Sequence, residues 1–153
     1  MAAADASGSG ALRARALRLL ARREHSREEL RRKLSGEDVD PEVVDGLLVE
    51  LQQAGWLSEQ RLAEQLVGAA RGRYGARRVL QRLREKGVEG EPLEQAAASL
   101  KTQDLDSARA LWRKRFGKAP QSLQEKAKHA RFLAGRGFSS EVIGRVLGHP
   151  EDE

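Results

Sequence analysis

Cysteine is absent from this chain of 153 residues, which excludes a disulfide framework, a thiolate metal site and a cysteine nucleophile. Aromatic residues make up only 4% of the chain and prolines number four, whereas charged residues make up 33%. A core must therefore be built from leucine, valine and alanine. Such a composition is typical of packed helices and indicates an all-α protein.

Long apolar runs are also absent, since none approaches the roughly 18 residues that a membrane-spanning helix needs. Residues 1–10, "MAAADASGSG", lack the basic region and the apolar stretch of a signal peptide, and they are predicted to form a disordered tail. The sequence thus predicts a soluble, cytoplasmic protein that makes no membrane contact.

Charge alternates in blocks along the chain. Residues 11–34 carry a net charge of +6, residues 37–64 carry −7, residues 71–86 carry +6 and residues 109–136 carry +8. A solvated helix face explains any one block. Regular alternation, however, indicates repeated units that present one charge sign on one face.

Apolar positions repeat after about fifty residues. A shift of 49 carries Leu34 onto Leu83, and a shift of 99 carries it onto Leu133. Units of this size cannot bury an apolar stripe alone and must stack on their neighbours. We therefore expect tandem three-helix repeats, about nine helices in all, in an elongated or curved array. The three predicted units are residues 11–57, 58–103 and 104–149.

Helix boundaries follow from capping residues and glycines. Ser26 with Glu29, and Ser122 with Glu125, predict capping boxes, and Asp40 before a proline predicts another helix start. The predicted helices are 11–24, 25–34, 39–55, 59–71, 76–86, 91–101, 104–116, 121–135 and 139–147.

Catalytic motifs are missing. His25, His129 and His149 are far apart and fit no metal-ligand spacing, so we expect them on the surface or in turns. No GxSxG motif occurs. The segment "RGRYGARR" at residues 71–78 lacks the Lys-Ser/Thr pair of a phosphate-binding loop. The sequence predicts a non-enzymatic protein that uses no cofactor and no metal.

The middle helix of each predicted unit is basic, and its outward side chains are the candidate binding residues. If the units stack in like orientation, three basic helices line one face, which is an electrostatic footprint for phosphates. The candidates are Arg27, Arg31, Arg32, Arg71, Arg73, Tyr74, Arg77, Arg78, Arg82, Lys126, Lys128 and Arg131. In the third unit, further basic residues lie one helix earlier, at Arg113, Lys114 and Arg115.

Two kinds of partner fit such a face. Tyr74 is the one aromatic candidate for base stacking beside arginines, and packing within its turn is the alternative role for that ring. DNA binding would therefore be directed at the backbone, sensitive to salt and weakly sequence-specific. A partner protein with an acidic groove would use the same face.

Three segments resemble the RecX regulatory proteins of bacteria in their order and spacing. They are "ALRLLARREHSREELRRKL", "GWLSEQRLAEQLVGAARGRYGARRVLQRLREKGV" and "FLAGRGFSSEVIGRVL". The resemblance covers residues 11–148 and implies an all-α protein of tandem three-helix repeats. One departure is "GAR" in place of the expected Gly-Pro-Arg before the middle basic helix.

The resemblance also implies a function, which is binding to the RecA recombinase filament on DNA. Such binding would limit filament growth, ATP hydrolysis and strand exchange in recombination, DNA repair and the SOS response. The implied partners are the RecA filament and, non-specifically, single- or double-stranded DNA, with the chain itself monomeric.

Two other functions stay open at this point. One is a helix-turn-helix-like regulator that binds duplex DNA directly, although Gln81 is nearly the only neutral polar residue on the best candidate recognition helix. The other is a repeat scaffold for an unrelated protein partner.

Overall fold

The computed structural model describes residues 2–148, and every regular element within that range is an α-helix. The predicted all-α class is therefore confirmed for these residues. The eight helices are α1 (Ala2–Arg22), α2 (Arg27–Leu34), α3 (Pro41–Gln53), α4 (Glu59–Ala70), α5 (Ala76–Glu85), α6 (Glu91–Arg115), α7 (Leu123–Gly135) and α8 (Ser140–Gly148). None of these eight is both long and apolar enough to cross a membrane.

The helix count corrects the prediction of nine. The expected break at residues 102–103 does not occur, because α6 runs without interruption from Glu91 to Arg115. No glycine or proline follows Pro92 within this helix, so nothing in the sequence terminates it. The predicted boundary between the second and third repeats consequently lies inside α6.

The first helix also begins earlier than expected. The structure places residues 2–10 in α1, where the sequence analysis predicted a disordered tail. Four of the first six residues are alanines, which have the highest helix propensity, and this composition allows the helix to extend toward the N-terminus.

The chain divides into two compact units. The first contains the residues up to Leu62 together with Glu85–Val88, and the second contains Ala63–Arg84 and the residues from Glu89 onward. Most of the second and third predicted repeats thus belong to one compact unit.

In the first unit, α1, α2 and α3 pack around an aliphatic core. Its buried residues are Ala16, Leu30, Leu34, Val44, Leu47, Leu48, Leu51 and Leu57. The predicted capping box is confirmed, since Glu29 N donates to Ser26 Oγ at 3.0 Å and Ser26 N donates to Glu29 Oε1 at 2.9 Å. Asp40 caps α3 by accepting from Glu42 N at 2.9 Å. These caps fix where the helices of this unit begin.

In the second unit, α6, α7 and α8 pack around a core that contains its larger aromatic residues. The buried members are Ala108, Trp112, Leu133, Phe138, Ile143, Val146 and Leu147. Ser122 caps α7 by accepting from Glu125 N at 3.1 Å. The Glu125 carboxylate, however, accepts from Gln121 N at 2.6 Å, one residue before the cap. The second predicted capping box is therefore only half formed.

Two of the three histidines are buried: His129 lies inside α7, so the prediction of a surface or turn position was wrong for it, whereas His25 lies in the connection between α1 and α2, as the turn alternative expected. His129 Nδ1 accepts from Trp112 Nε1 at 3.1 Å, the ring stacks on Phe116, and burial lowers the pKa of His129. His25 is 1% exposed, and burial likewise lowers its pKa. A neutral imidazole suits both sites because burial disfavours the charged form. His149 lies outside the described residues.

Glu29 joins three segments of the first unit and carries a testable stability contribution. Its carboxylate accepts from Arg23 and from Lys86 Nζ, at 3.1 Å and 3.0 Å, in addition to Ser26 N. Burial raises the pKa of Glu29, but these hydrogen bonds outweigh burial and hold the pKa at about 2, below its ordinary value of 4.5.

We expect Glu29→Gln to lower the free energy of unfolding of the first unit by about 2 kcal/mol at pH 7. Because the folded pKa lies below the unfolded pKa, this contribution is present above pH 4.5 and is lost as the pH falls through about 2. Urea denaturation followed by circular dichroism at pH 7 and pH 3 measures it, with the exposed Glu37→Gln as control. A difference between wild type and Glu29→Gln that stayed constant over this pH range would contradict the expectation.

Candidate basic groove around Tyr74

The segment "RGRYG" forms a tight turn between α4 and α5. Helix α4 ends at Ala70, one residue before its predicted end, and α5 begins at Ala76, as predicted from the glycines between the two helices. Arg73 N and Tyr74 N both donate to Ala70 O, at 2.8 Å and 2.9 Å, and so cap the end of α4. Gly72 lies at φ 74°, in the left-handed region that favours glycine.

The turn is held against the connection between α7 and α8. Gly75 N donates to Arg136 O at 2.8 Å, and Arg77 N donates to Gly137 O at 3.1 Å. A Cβ atom on Gly75 would lie 2.6 Å from Gly137 O and 2.6 Å from Phe138 Cδ1. Glycine at position 75 is therefore required by the close approach of the two backbones.

Two polar side chains of α6 hold the other side of the turn, and a third contacts the last turn of α4. Asp104 Oδ2 accepts from Ala76 N at 2.8 Å, and Ser107 Oγ accepts from Gly72 N at 2.9 Å. Gln103 Nε2 donates to Val67 O at 2.9 Å. Asp104 is 4% exposed, and burial raises the pKa of its carboxyl. The turn is thus fixed by contacts that the sequence analysis did not foresee.

Cations and aromatic rings alternate beside the turn. The Arg78 guanidinium lies 4.2 Å from the centroid of the half-buried Tyr74 ring, and the Arg136 guanidinium lies 5.6 Å from it. Arg136 also lies 5.2 Å from the Phe132 ring, which Arg115 approaches to 5.6 Å. Tyr74 therefore packs within its turn and, at the same time, joins a row of cation–π contacts.

This row borders a concavity of about 670 Å³, here named the Tyr74 groove. Its lining residues are Gly72, Arg73, Tyr74, Leu111, Lys114, Arg115, Phe132 and Arg136. The lining contains four cationic side chains and no acidic one. A smaller concavity shares Arg73 and Tyr74 with this groove and also includes Arg78 and Arg82. The arrangement can bind anions and offers planar groups for stacking.

The structure brings part of the predicted set together. Arg73, Tyr74, Arg78 and Arg82 line the two concavities that meet at Tyr74. Arg77 is exposed, but its Nη2 donates to Ala134 O at 2.7 Å, at the end of α7. Arg77 therefore has a structural role in addition to its charge.

The remaining predicted residues lie elsewhere. Arg71 Nε donates to Gln103 Oε1 at 3.3 Å. In α2, Arg31 and Arg32 pair with Glu28 at 2.7 Å and 3.3 Å, which offsets part of their charge.

The candidates Arg27, Lys126, Lys128 and Arg131 do not line the Tyr74 groove. Arg27 is half-buried and its backbone N donates to Glu59 at 3.0 Å. The three α7 cations are exposed. A shared face for all three basic helices stays a prediction.

Lys114 and Arg115 were noted from the sequence only as basic residues one helix before the third candidate helix, and Arg136 was missed; all three line the Tyr74 groove. The signal that could have found these groove residues is the net charge of +8 over residues 109–136.

Clusters of three or more histidine or carboxylate side chains that could hold a metal ion are absent from residues 2–148.

Comparisons with known proteins place the chain in a family. A model of the first three-helix domain of RecX matches residues 13–51, and a model of its third three-helix domain matches residues 102–147. The regulatory protein RecX of Ralstonia pickettii is 44% identical over 141 residues, which cover 92% of this chain and 89% of that protein. The chain belongs to the RecX family.

Other RecX proteins agree in sequence and in fold. The regulatory protein RecX of Chromobacterium violaceum is 39% identical over 93% of this chain and 92% of its own length. The crystal structure of RecX from Lactobacillus salivarius superimposes with a TM-score of 0.80, covering 94% of this chain and 96% of that one at 18% identity. At that identity the likeness shows the RecX fold alone. The match to the third RecX domain begins inside α6, the helix that the sequence analysis had divided.

Proposed function

We propose that this RecX family member is a non-enzymatic, monomeric, cytoplasmic regulator that binds the RecA recombinase filament on DNA. It would restrain filament growth, ATP hydrolysis and strand exchange. The observation that carries the proposal is RecX family membership over 92% of the chain, with relatives named as regulatory proteins. The cationic lining of the Tyr74 groove supports it, because a filament on DNA exposes phosphates.

The Tyr74 groove is the proposed DNA-contacting part of the surface. Arg73, Lys114 and Arg115 can neutralise phosphates without competition from a lining carboxylate. Tyr74 and the Arg136 guanidinium supply planar groups at the groove, on which unstacked bases would stack; single strands provide such bases and duplexes do not. The phosphate contacts make the binding salt-sensitive, and stacking that accepts any base makes it weakly sequence-specific.

A helix-turn-helix-like reader of duplex DNA is less well supported. Such a reader places the first residues of its recognition helix on base edges in the major groove. On α5, the guanidinium of Arg77 is instead engaged with Ala134 O. Whether the chain reads duplex DNA in this way is decided by comparing its binding to specific and to random duplexes.

Co-sedimentation tests the proposed function. The chain is expected to pellet with RecA filaments on single-stranded DNA, and to bind bare single-stranded DNA more weakly at the same salt concentration. Binding to specific and random duplexes should differ by less than about tenfold. A chain that stayed in the supernatant with filaments would overturn the proposal, and a duplex preference above tenfold would favour the direct DNA regulator.

A further inference from the structure

A second groove of the second unit lies between α7 and α8 and is apolar. Its volume is about 520 Å³, and it shares no lining residue with the Tyr74 groove. It is lined by Leu123, Lys126, Ala127, Ala130, Arg131, Ala134, Ser140, Ile143, Gly144 and Leu147. We refer to it as the α7/α8 groove.

The apolar residues on α7 follow the spacing of one helix face. Leu123, Ala127, Ala130 and Ala134 are separated by four, three and four residues, so they form a single stripe about three turns long. Leu123, at one end of this stripe, is 85% exposed, an unusual position for a large aliphatic side chain.

The wall opposite α7 is formed by α8, and its small residue at position 144 makes the groove deeper. Gly144 on α8 has no side chain, and nothing lies within 4 Å of a Cβ atom built on it. Together with the small alanines of α7, this leaves room for large apolar side chains from outside. Ile143 and Leu147 provide an aliphatic floor that is already largely buried.

Charge at the groove has one sign. Lys126 and Arg131 are exposed and lie on α7 on either side of the apolar stripe, because they are offset from it in opposite directions around the helix. No carboxylate lines the groove. An apolar floor between two cations complements a helix whose apolar stripe is flanked by acids.

We propose that the α7/α8 groove docks an acidic amphipathic α-helix of a partner protein. Three turns of α7 correspond to a contact about 17 Å long, which suits a helix of about eleven residues. Large apolar side chains of that helix would pack over Ala130 and Gly144, while its acidic side chains pair with Lys126 and Arg131. Because the residues are separate from the Tyr74 groove, this docking stands independently of filament binding through that groove.

Peptide binding tests the proposal on the full chain. The probe is a fluorescein-labelled helical peptide of about 14 residues, with leucines at alternating spacings of three and four and glutamates on both flanks. Its control carries lysine in place of glutamate. We expect the glutamate peptide to bind at least roughly tenfold more tightly than the lysine peptide, as measured by fluorescence anisotropy.

Variants define the position of the contact. Lys126→Glu combined with Arg131→Glu should weaken the glutamate peptide roughly tenfold and strengthen the lysine peptide. Lys101→Glu combined with Lys118→Glu makes the same charge change at exposed residues outside the groove lining and should alter either affinity by less than about twofold. Ala127→Trp, which fills the groove at an exposed position, should abolish binding without loss of helicity.

Three results would overturn the proposal. One is no binding of the glutamate peptide at about 1 mM chain, and another is equal binding of the two peptides. The third is concentration-dependent self-association in sedimentation velocity that Lys126→Glu with Arg131→Glu abolishes, because a second copy of the chain would then be the occupant.

Discussion

Replacing Gly75 by alanine is expected to lower the free energy of unfolding of the second unit by about 3 kcal/mol. The added methyl group would lie 2.6 Å from Gly137 O and 2.6 Å from Phe138 Cδ1. Neither neighbour can move freely, since Phe138 is 1% exposed and Gly137 O accepts from Arg77 N. The substitution must therefore separate the α4–α5 turn from the α7–α8 connection.

Urea denaturation followed by the fluorescence of Trp112 measures this effect. Trp112 is buried in the second unit, and Trp56→Phe removes the other tryptophan, which is 55% exposed and belongs to the first unit. Gly68→Ala is the matched control, because this glycine is helical and nothing lies within 4 Å of its built Cβ. The control should be more stable by about 0.5–1 kcal/mol. A change below about 0.5 kcal/mol in Gly75→Ala would show that the close approach does not constrain the fold.

Under the proposed function, reversing three charges beside Tyr74 is expected to weaken the inhibition of RecA ATP hydrolysis at least roughly tenfold. The variant combines Arg73→Glu, Arg78→Glu and Arg82→Glu, whose side chains line the concavities around Tyr74. Arg77 is left intact because its guanidinium holds Ala134 O, so replacing it would mix a structural loss with the loss of charge. Each lost phosphate contact should also reduce the salt dependence of binding. The slope of the logarithm of the binding constant against the logarithm of the salt concentration should become shallower by about one unit for each contact.

A variant of equal charge change is the control for this experiment. Arg84→Glu, Lys101→Glu and Lys118→Glu alter exposed residues that line neither concavity. Its inhibition should stay within about threefold of wild type, since distant exposed charges are screened. Equal losses in the two variants, both with unchanged helicity, would show that net charge rather than the groove accounts for inhibition.

Local sequence signals predicted the helix boundaries well where a side chain caps a helix directly. Ser26 and Asp40 each accept a hydrogen bond from the first turn of their own helix, so three or four residues of sequence contain the whole interaction. The break expected at residues 102–103 had no such signal. It was inferred from the repeat alone, and the continuous α6 shows that a repeat in apolar positions need not repeat the chain breaks.

The residues of the Tyr74 groove were predictable only in part, because some of them come from distant parts of the chain. Arg73, Tyr74 and Arg78 are neighbours in sequence and were recognised as one cluster. Lys114 and Arg136 reach the same groove from α6 and from the residue after α7, far along the chain. The backbone contact between Gly75 and Gly137 that brings these segments together leaves no local pattern of residues. Such contacts depend on tertiary packing, which periodicity and capping do not encode.

The proposed restraint of the RecA filament is tested most directly by a titration with the unaltered chain. RecA filaments on single-stranded DNA would be titrated with this chain while ATP hydrolysis is followed. The proposed function predicts that hydrolysis falls in a saturable manner as the chain is added, and that added salt shifts the curve to higher concentrations. Hydrolysis that stayed unchanged at all concentrations of the folded chain would contradict the account.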